Sequence, residues 1–121
     1  MFIFDTNFLI YYFLGRPEII EFVENNKDGV FYIPAIVITE FLSYPMLDEK
    51  TEGLFRLFLN DLIIVNLDRE MAELAGELRK ENKMKTIDAV IAASAILTNT
   101  TLLTYNLTDF KKIRELKVIA P

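Results

Sequence analysis

Short apolar segments alternate with helical ones along the chain, and this alternation limits its possible folds more than any other feature. Helical segments separate the candidate strands and keep the three- and four-residue apolar spacing of helices. Strands that alternate with helices form parallel sheets through right-handed crossovers. The sequence therefore predicts a single three-layer α/β domain. Its strands are expected near residues 1–4, 30–33, 63–65, 101–104 and 117–119 of the 121.

Prolines and small polar residues mark where the predicted helices begin. Pro17 and Pro34 fit the first positions of helices, where a missing backbone N–H costs little. Asn7 opens the first predicted helix, and Thr86 is expected to cap the helix IDAVIAASAILT. In open α/β sheets the ligand site lies outside the carboxyl ends of the strands. Polar residues at the strand-to-helix junctions are therefore the candidates for a functional site.

The composition removes several kinds of chemistry. The chain has no cysteine and no histidine, which excludes disulfides, the usual zinc sites and a Ser-His-Asp triad. Oxygen atoms would have to hold any metal, and such a site favours Mg²⁺ or Mn²⁺. No apolar run is long enough to cross a membrane, and the N-terminus lacks the basic residues of a secretory signal. We expect a cytoplasmic protein that does not contact membranes.

Charge is distributed unevenly along the chain. Residues 1–78 carry a net charge of −9, whereas residues 79–121 carry +4. Solvated helix faces can produce such an asymmetry, and so can a surface that binds a polyanion. Six of the basic residues flank acidic candidates and are predicted to bind a polyanionic substrate. They are Arg79, Lys80, Lys83, Lys85, Lys111 and Lys112.

Four acidic residues stand out by their positions. Asp5 directly follows the first predicted strand, Asp88 lies in the first turn of a helix, and Asp109 follows the fourth strand. Each of these three could also be an ordinary turn or capping residue. Glu40 is different, because its helix AIVITEFL is apolar and offers no cation as a partner. Buried carboxylates repel one another unless their pKa values rise or a cation joins them.

A divalent cation would explain these acids together. Such ions activate water and stabilise the leaving oxygen in phosphodiester cleavage, and this chemistry requires neither histidine nor cysteine. Hydroxyl and amide side chains near the acids are predicted to orient the carboxylates or bound water. These four residues are Thr6, Asn7, Thr104 and Asn106.

Four motifs in this order resemble the PIN domain family, in particular its small VapC-type toxins. They are FDTNFLI with Asp5, IPAIVITEFLSY with Glu40, KTIDAVIAA with Asp88, and LLTYNLTDF with Asn106 and Asp109. The resemblance covers the chain from end to end. It implies a five-stranded parallel sheet in the order 3-2-1-4-5, flanked by helices. It also implies a Mg²⁺- or Mn²⁺-dependent ribonuclease with the four acids as metal ligands. Many relatives carry an acid at the position of Asn106, so one metal and two metals both stay open.

The resemblance further implies a homodimer and inhibition by a small antitoxin protein. The apolar segments NFLIYYFL and LFRLFL would make those contacts or belong to the core. Two functional hypotheses follow: an endoribonuclease toxin, and a non-catalytic PIN-fold module that binds RNA or protein. A phosphatase with Asp5 as nucleophile is disfavoured, because Asn7 takes the second place of the D-x-D pattern. A receiver domain is disfavoured, because it would need paired acids at the first strand and the sequence offers only Asp5 there.

Overall fold

The computed structural model describes all 121 residues as five strands and seven helices. The strands are β1 (Phe2–Phe4), β2 (Phe31–Pro34), β3 (Ile63–Val65), β4 (Thr101–Leu103) and β5 (Lys117–Ile119). The helices are α1 (Thr6–Phe13), α2 (Pro17–Asn25), α3 (Ala35–Leu42), α4 (Glu49–Leu59), α5 (Arg69–Asn82), α6 (Thr86–Thr98) and α7 (Leu107–Phe110). None of the helices combines the length and apolar character that a membrane-spanning segment requires.

All strand pairs are parallel, and the sheet order is β3-β2-β1-β4-β5. This confirms the predicted α/β fold and the order 3-2-1-4-5. From β1 the chain first builds towards β2 and β3, and later towards β4 and β5. The topological switch point therefore lies between β1 and β4, and ligand sites of open α/β sheets form there. Asp5 leaves β1 and Thr104 leaves β4 on the two sides of this point.

Three helix starts differ from the predictions. Helix α1 begins at Thr6 rather than Asn7, because the Asp5 side chain accepts the Thr6 backbone N–H at 2.8 Å and caps the helix. Thr86 is the first residue of α6 and not its cap; Lys85 takes the cap position without a side-chain hydrogen bond. Asp109 lies inside α7, whose cap position is Asn106, so it does not cap that helix.

The core covers both faces of the sheet. The central strands are largely buried, and Phe4, Ile33 and Leu103 are all at 0% exposure. On one side, an aromatic cluster joins α1, α3 and α4; its members are Phe13, Phe41, Phe55 and Phe58. On the other side, α6 presents small buried residues that let α5 pack closely against it. The site at the carboxyl edge therefore stands on a rigid apolar base.

Candidate active site

A cavity of about 470 Å³ opens at the carboxyl edge of the sheet. It is lined by Asp5, Thr6, Asn7, Glu40, Lys85, Thr86, Ile87, Asp88, Asn106 and Asp109. All four predicted acids are among these residues. Two other surface cavities are of similar size, but one has no acid in its lining and the other has a single aspartate. We call the cavity at the sheet edge the acidic cavity.

Asp5 forms the floor of the acidic cavity and is held on both carboxylate oxygens. Its Oδ1 accepts the Thr6 backbone N–H at 2.8 Å, and its Oδ2 accepts the Thr104 hydroxyl at 2.7 Å. The Asp5 backbone N–H donates to the Leu103 carbonyl at 3.2 Å, so the β1–β4 pairing continues one residue beyond the strand. Asp5 is only 6% exposed. Its carboxylate therefore has a fixed position and orientation.

Burial, together with smaller contributions from the negative charges of Asp88 and Glu40, raises the pKa of Asp5 from 3.8 to about 6. The hydrogen bonds from Thr104 and Thr6 lower the pKa and partly oppose this shift. Ionised Asp5 is thus poorly solvated and faces like charges. A cation in the cavity would favour its ionised form.

Thr6 connects Asp5 to Glu40. Its backbone N–H binds Asp5, and its hydroxyl donates to Glu40 Oε1 at 2.6 Å. Glu40 projects from α3, which packs against α1. The two ion pairs of the structure, Arg56–Glu52 and Arg69–Glu73, lie elsewhere. Glu40 therefore points into the acidic cavity without a basic partner.

Asp88 and Asp109 form the other side of the cavity. Burial raises the pKa of Asp88, as do the charges of Asp109 and Glu40, whereas Lys85 and Lys112 lower it. Asp109 Oδ2 accepts a hydrogen bond from Asn106 Nδ2 at 3.0 Å. The Asn106 backbone N–H in turn donates to Thr104 Oγ1 at 2.9 Å. A chain of hydrogen bonds thus runs from Asp109 through Asn106 and Thr104 to Asp5.

Of the four residues predicted to orient the acids, three make such contacts. Thr6 donates to Glu40, Thr104 to Asp5, and Asn106 to Asp109. Asn7 lines the cavity but is exposed, and its side chain forms no hydrogen bond with a carboxylate. Thr86 and Ile87 also line the cavity and were not predicted as site residues. Their position directly before Asp88 was the available signal.

The chemistry of the cavity suits a hard divalent cation. Its donors are carboxylate, hydroxyl and amide oxygens, which Mg²⁺ and Mn²⁺ prefer. The four carboxylates have no ion pair, and their charges raise the pKa of two of them. No three of the acids, however, are grouped tightly enough to form a ready-made ligand set. Their assignment as metal ligands stays a prediction that the donor chemistry favours.

The six residues predicted to bind RNA lie in two different regions of the structure. Lys85 lines the acidic cavity, and Lys112 is close enough for its charge to act on Asp88. Lys111 is exposed just after α7. The remaining three line a separate cavity of about 540 Å³, which we call the basic cavity. They are Arg79, Lys80 and Lys83.

The sequence profile of the PIN domain family matches residues 2–116. The chain belongs to the PIN domain family. Ribonuclease VapC2 from Rickettsia felis is 29% identical over 128 aligned residues, which cover 96% of this chain and 94% of that protein. This agrees with the resemblance that the four motifs indicated.

Solved structures of similar fold belong to toxin–antitoxin complexes. A chain of a toxin-antitoxin complex from Klebsiella pneumoniae is 33% identical, with a TM-score of 0.86 and coverage of 100% of this chain and 98% of that one. A chain of VapBC2 from Rickettsia felis, bound to a DNA fragment from its promoter, is 26% identical, with a TM-score of 0.84 and coverage of 98% and 96%. The similarity of this PIN domain to these chains therefore extends over their whole length.

Proposed function

We propose that this PIN domain is a divalent-metal-dependent endoribonuclease and the toxin of a toxin–antitoxin pair. The observation that carries the proposal is the acidic cavity, where four carboxylates that form no ion pair line one site at the switch point of the sheet. The similarity to Ribonuclease VapC2 and to chains of toxin–antitoxin complexes supports it.

Asp5, Glu40, Asp88 and Asp109 would hold the Mg²⁺ or Mn²⁺. The bound ion would supply an activated water and stabilise the negative charge of the leaving oxygen. The other residues of the cavity prepare this site. Thr104 and Thr6 fix the Asp5 carboxylate, and Asn106 fixes that of Asp109. Lys85, which lines the same cavity, would contact a phosphate of the substrate.

An apolar surface supports an antitoxin partner. A cavity of about 510 Å³ lies between α1, α2 and α4, and six of its eight lining residues are hydrophobic. Leu54 and Leu57 are among them, with 49% and 66% of their surface exposed. Both belong to the LFRLFL segment, while Tyr12 and Phe13 of NFLIYYFL line the same cavity. An amphipathic antitoxin segment would cover such a surface. We further propose a homodimer and a cytoplasmic location.

Cleavage of a labelled single-stranded RNA tests the proposed activity. The wild type should cleave with Mn²⁺ or Mg²⁺ and lose activity in excess chelator. Asp5→Asn should lower the rate by roughly 10²–10³, the scale seen when one stabilising group is removed from an active site. Asp61→Asn changes an exposed aspartate outside the acidic cavity and is the matched control. Activity that persists in chelator would refute the metal-dependent mechanism.

The alternative is a non-catalytic PIN module that keeps the fold to bind RNA or protein. Presence of all four acids in one cavity favours the enzyme. A wild-type protein that binds RNA without cleaving it, at saturating Mn²⁺ and over a range of sequences, would establish the alternative instead.

A further inference from the structure

Three cavities adjoin one another along helices α5 and α6. The acidic cavity shares Thr86 with a middle cavity of about 270 Å³. The middle cavity shares Gly76 and Arg79 with the basic cavity. The three cavities therefore form a row that runs from the four acids, across the contact between α5 and α6, to a group of cations. We call this row the α5–α6 depression.

The cations of the basic cavity have no acidic partner. No carboxylate lies within 4.0 Å of Arg79, Lys80 or Lys83, since both ion pairs of the structure involve other residues. Two features fix the cavity's shape. Arg79 Nε donates to the Met84 carbonyl at 3.2 Å, and Lys83 ends α5 in the left-handed conformation, with φ of 50°. A group of unpaired cations attracts an anion.

The middle cavity has a mostly apolar lining, which suits the sugar and base of a nucleotide. Five of its eight residues are hydrophobic, including Leu67 and Val90, and its lining contains no acid. Gly76 lies where the middle and basic cavities meet, and a Cβ atom there would touch no heavy atom within 4 Å. The space beside Gly76, where the two cavities meet, is therefore open.

We propose that a single RNA strand leaves the acidic cavity along the α5–α6 depression and is held by its phosphates in the basic cavity. The proposal rests on the proposed function, because that function places the bond to be cleaved at the acids. Cations bind the backbone without reading sequence, and a mostly apolar wall accepts any base. We call this path of the RNA strand the track. It extends the substrate site beyond the nucleotides at the cleaved bond.

Salt dependence of RNA binding tests the phosphate contacts. Binding of an oligouridylate is measured in chelator, so that no cleavage occurs. Each phosphate contact to a single strand contributes about 0.7 to the slope of log K against log salt. Lys80→Gln with Lys83→Gln should therefore reduce the slope by about 1.4. The control, Lys27→Gln with Lys50→Gln, makes the same charge change at exposed lysines outside the cavities and should leave the slope unchanged.

A second pair of variants tests the path without changing charge. Gly76→Leu puts a side chain between the middle and basic cavities and should weaken RNA binding by about tenfold, or ~1.4 kcal/mol. Gly53→Leu is the control, because Gly53 is also helical with open space around its Cβ position but lies on α4. Equal RNA affinity of the two variants would overturn the track. Dissociation of a dimer by Gly76→Leu, seen by light scattering with RNA affinity unchanged, would show that a second copy covers this face.

These results separate the track from the nuclease. A wild type that cleaves RNA but shows no slope difference between the two lysine pairs refutes the track alone. A wild type that shows the slope difference but never cleaves refutes the nuclease and leaves the α5–α6 depression as an RNA-binding surface.

Discussion

The acidic cavity and the aromatic cluster share helices α1 and α3 and have opposite effects on the fold. In α3, Glu40 faces the cavity, while its neighbour Phe41 is 1% exposed and stacks on Phe55 with ring centroids 3.9 Å apart. In α1, Thr6 binds the acids at one end and Phe13 joins the cluster at the other. The cluster stabilises the fold by burial, whereas the cavity gathers like charges. Residues of the aromatic cluster therefore stabilise the fold, whereas the neighbouring residues of the acidic cavity do not.

The largest expected effect comes from opening the aromatic cluster. Phe55→Ala should lower the free energy of unfolding by about 3–5 kcal/mol, because a fully buried aromatic ring leaves a cavity. Denaturant titration measures this. Leu57→Ala on the same helix is the control, since Leu57 is 66% exposed and its truncation should change stability by less than about 0.5 kcal/mol. If both variants lowered the free energy of unfolding equally, the aromatic cluster would not be the source of stability.

Asp5→Asn is expected to raise the free energy of unfolding. With a pKa of about 6 in the fold against an ordinary 3.8, Asp5 is stabilising in its protonated form below pH 4. That contribution is lost as the pH rises through 6, which costs about 3 kcal/mol at pH 7. Asparagine stays neutral but offers one oxygen fewer, so the variant should be more stable by roughly 2 kcal/mol at pH 7.

Unfolding in chelator at pH 4 and pH 7 measures the Asp5→Asn effect. The gain should be present at pH 7 and absent at pH 4. Asp61→Asn should be neutral at both. A variant less stable than the wild type at pH 7 would show that the acidic cavity does not strain the fold.

Thr104→Val tests whether the Thr104 hydroxyl both stabilises the fold and lowers the pKa of Asp5. Thr104 is fully buried, and its hydroxyl binds both Asp5 and the Asn106 backbone. Loss of this hydroxyl should lower the free energy of unfolding by about 1–2 kcal/mol. The pKa of Asp5 should also rise above 6, because the Thr104 hydrogen bond lowers it. Carboxyl titration by NMR in chelator measures that pKa. Thr100→Val, at another buried threonine, should lower stability without moving the Asp5 pKa.

The smallest expected effect is that of Thr6→Val on cation binding. Without the Thr6 hydroxyl, Glu40 loses its orienting donor, and Mn²⁺ affinity should fall by about tenfold, the lower end for such supporting contacts. Calorimetric titration measures this affinity. Thr6→Ser keeps the hydroxyl and should retain wild-type binding. If the valine variant binds Mn²⁺ as tightly as the serine variant, Glu40 does not depend on Thr6 to meet the cation.

The predictable part of the structure followed from local patterns. Alternating strands and helices indicated the parallel sheet, and the four motifs indicated its order and the acids. The Thr6–Glu40 bond was not predictable, because it joins residues 34 positions apart through the packing of α1 on α3. The division of the basic residues was also missed. RKENKMK appeared as one basic stretch, but α5 ends at Lys83 in the left-handed conformation, and this turn separates Lys85 from Arg79 and Lys80.

The bond between Thr104 and Asp5 spans 99 positions of the chain, and it has a consequence for biosynthesis. Translation proceeds from the N-terminus, so Asp5 and Glu40 emerge from the ribosome well before β4 exists. Until residues 101–109 emerge and β4 inserts beside β1, the nascent chain lacks Asp109 and the donor that fixes Asp5. Every truncated product that stops short of β4 therefore carries an unfinished site, and the acidic cavity is completed only near the end of synthesis.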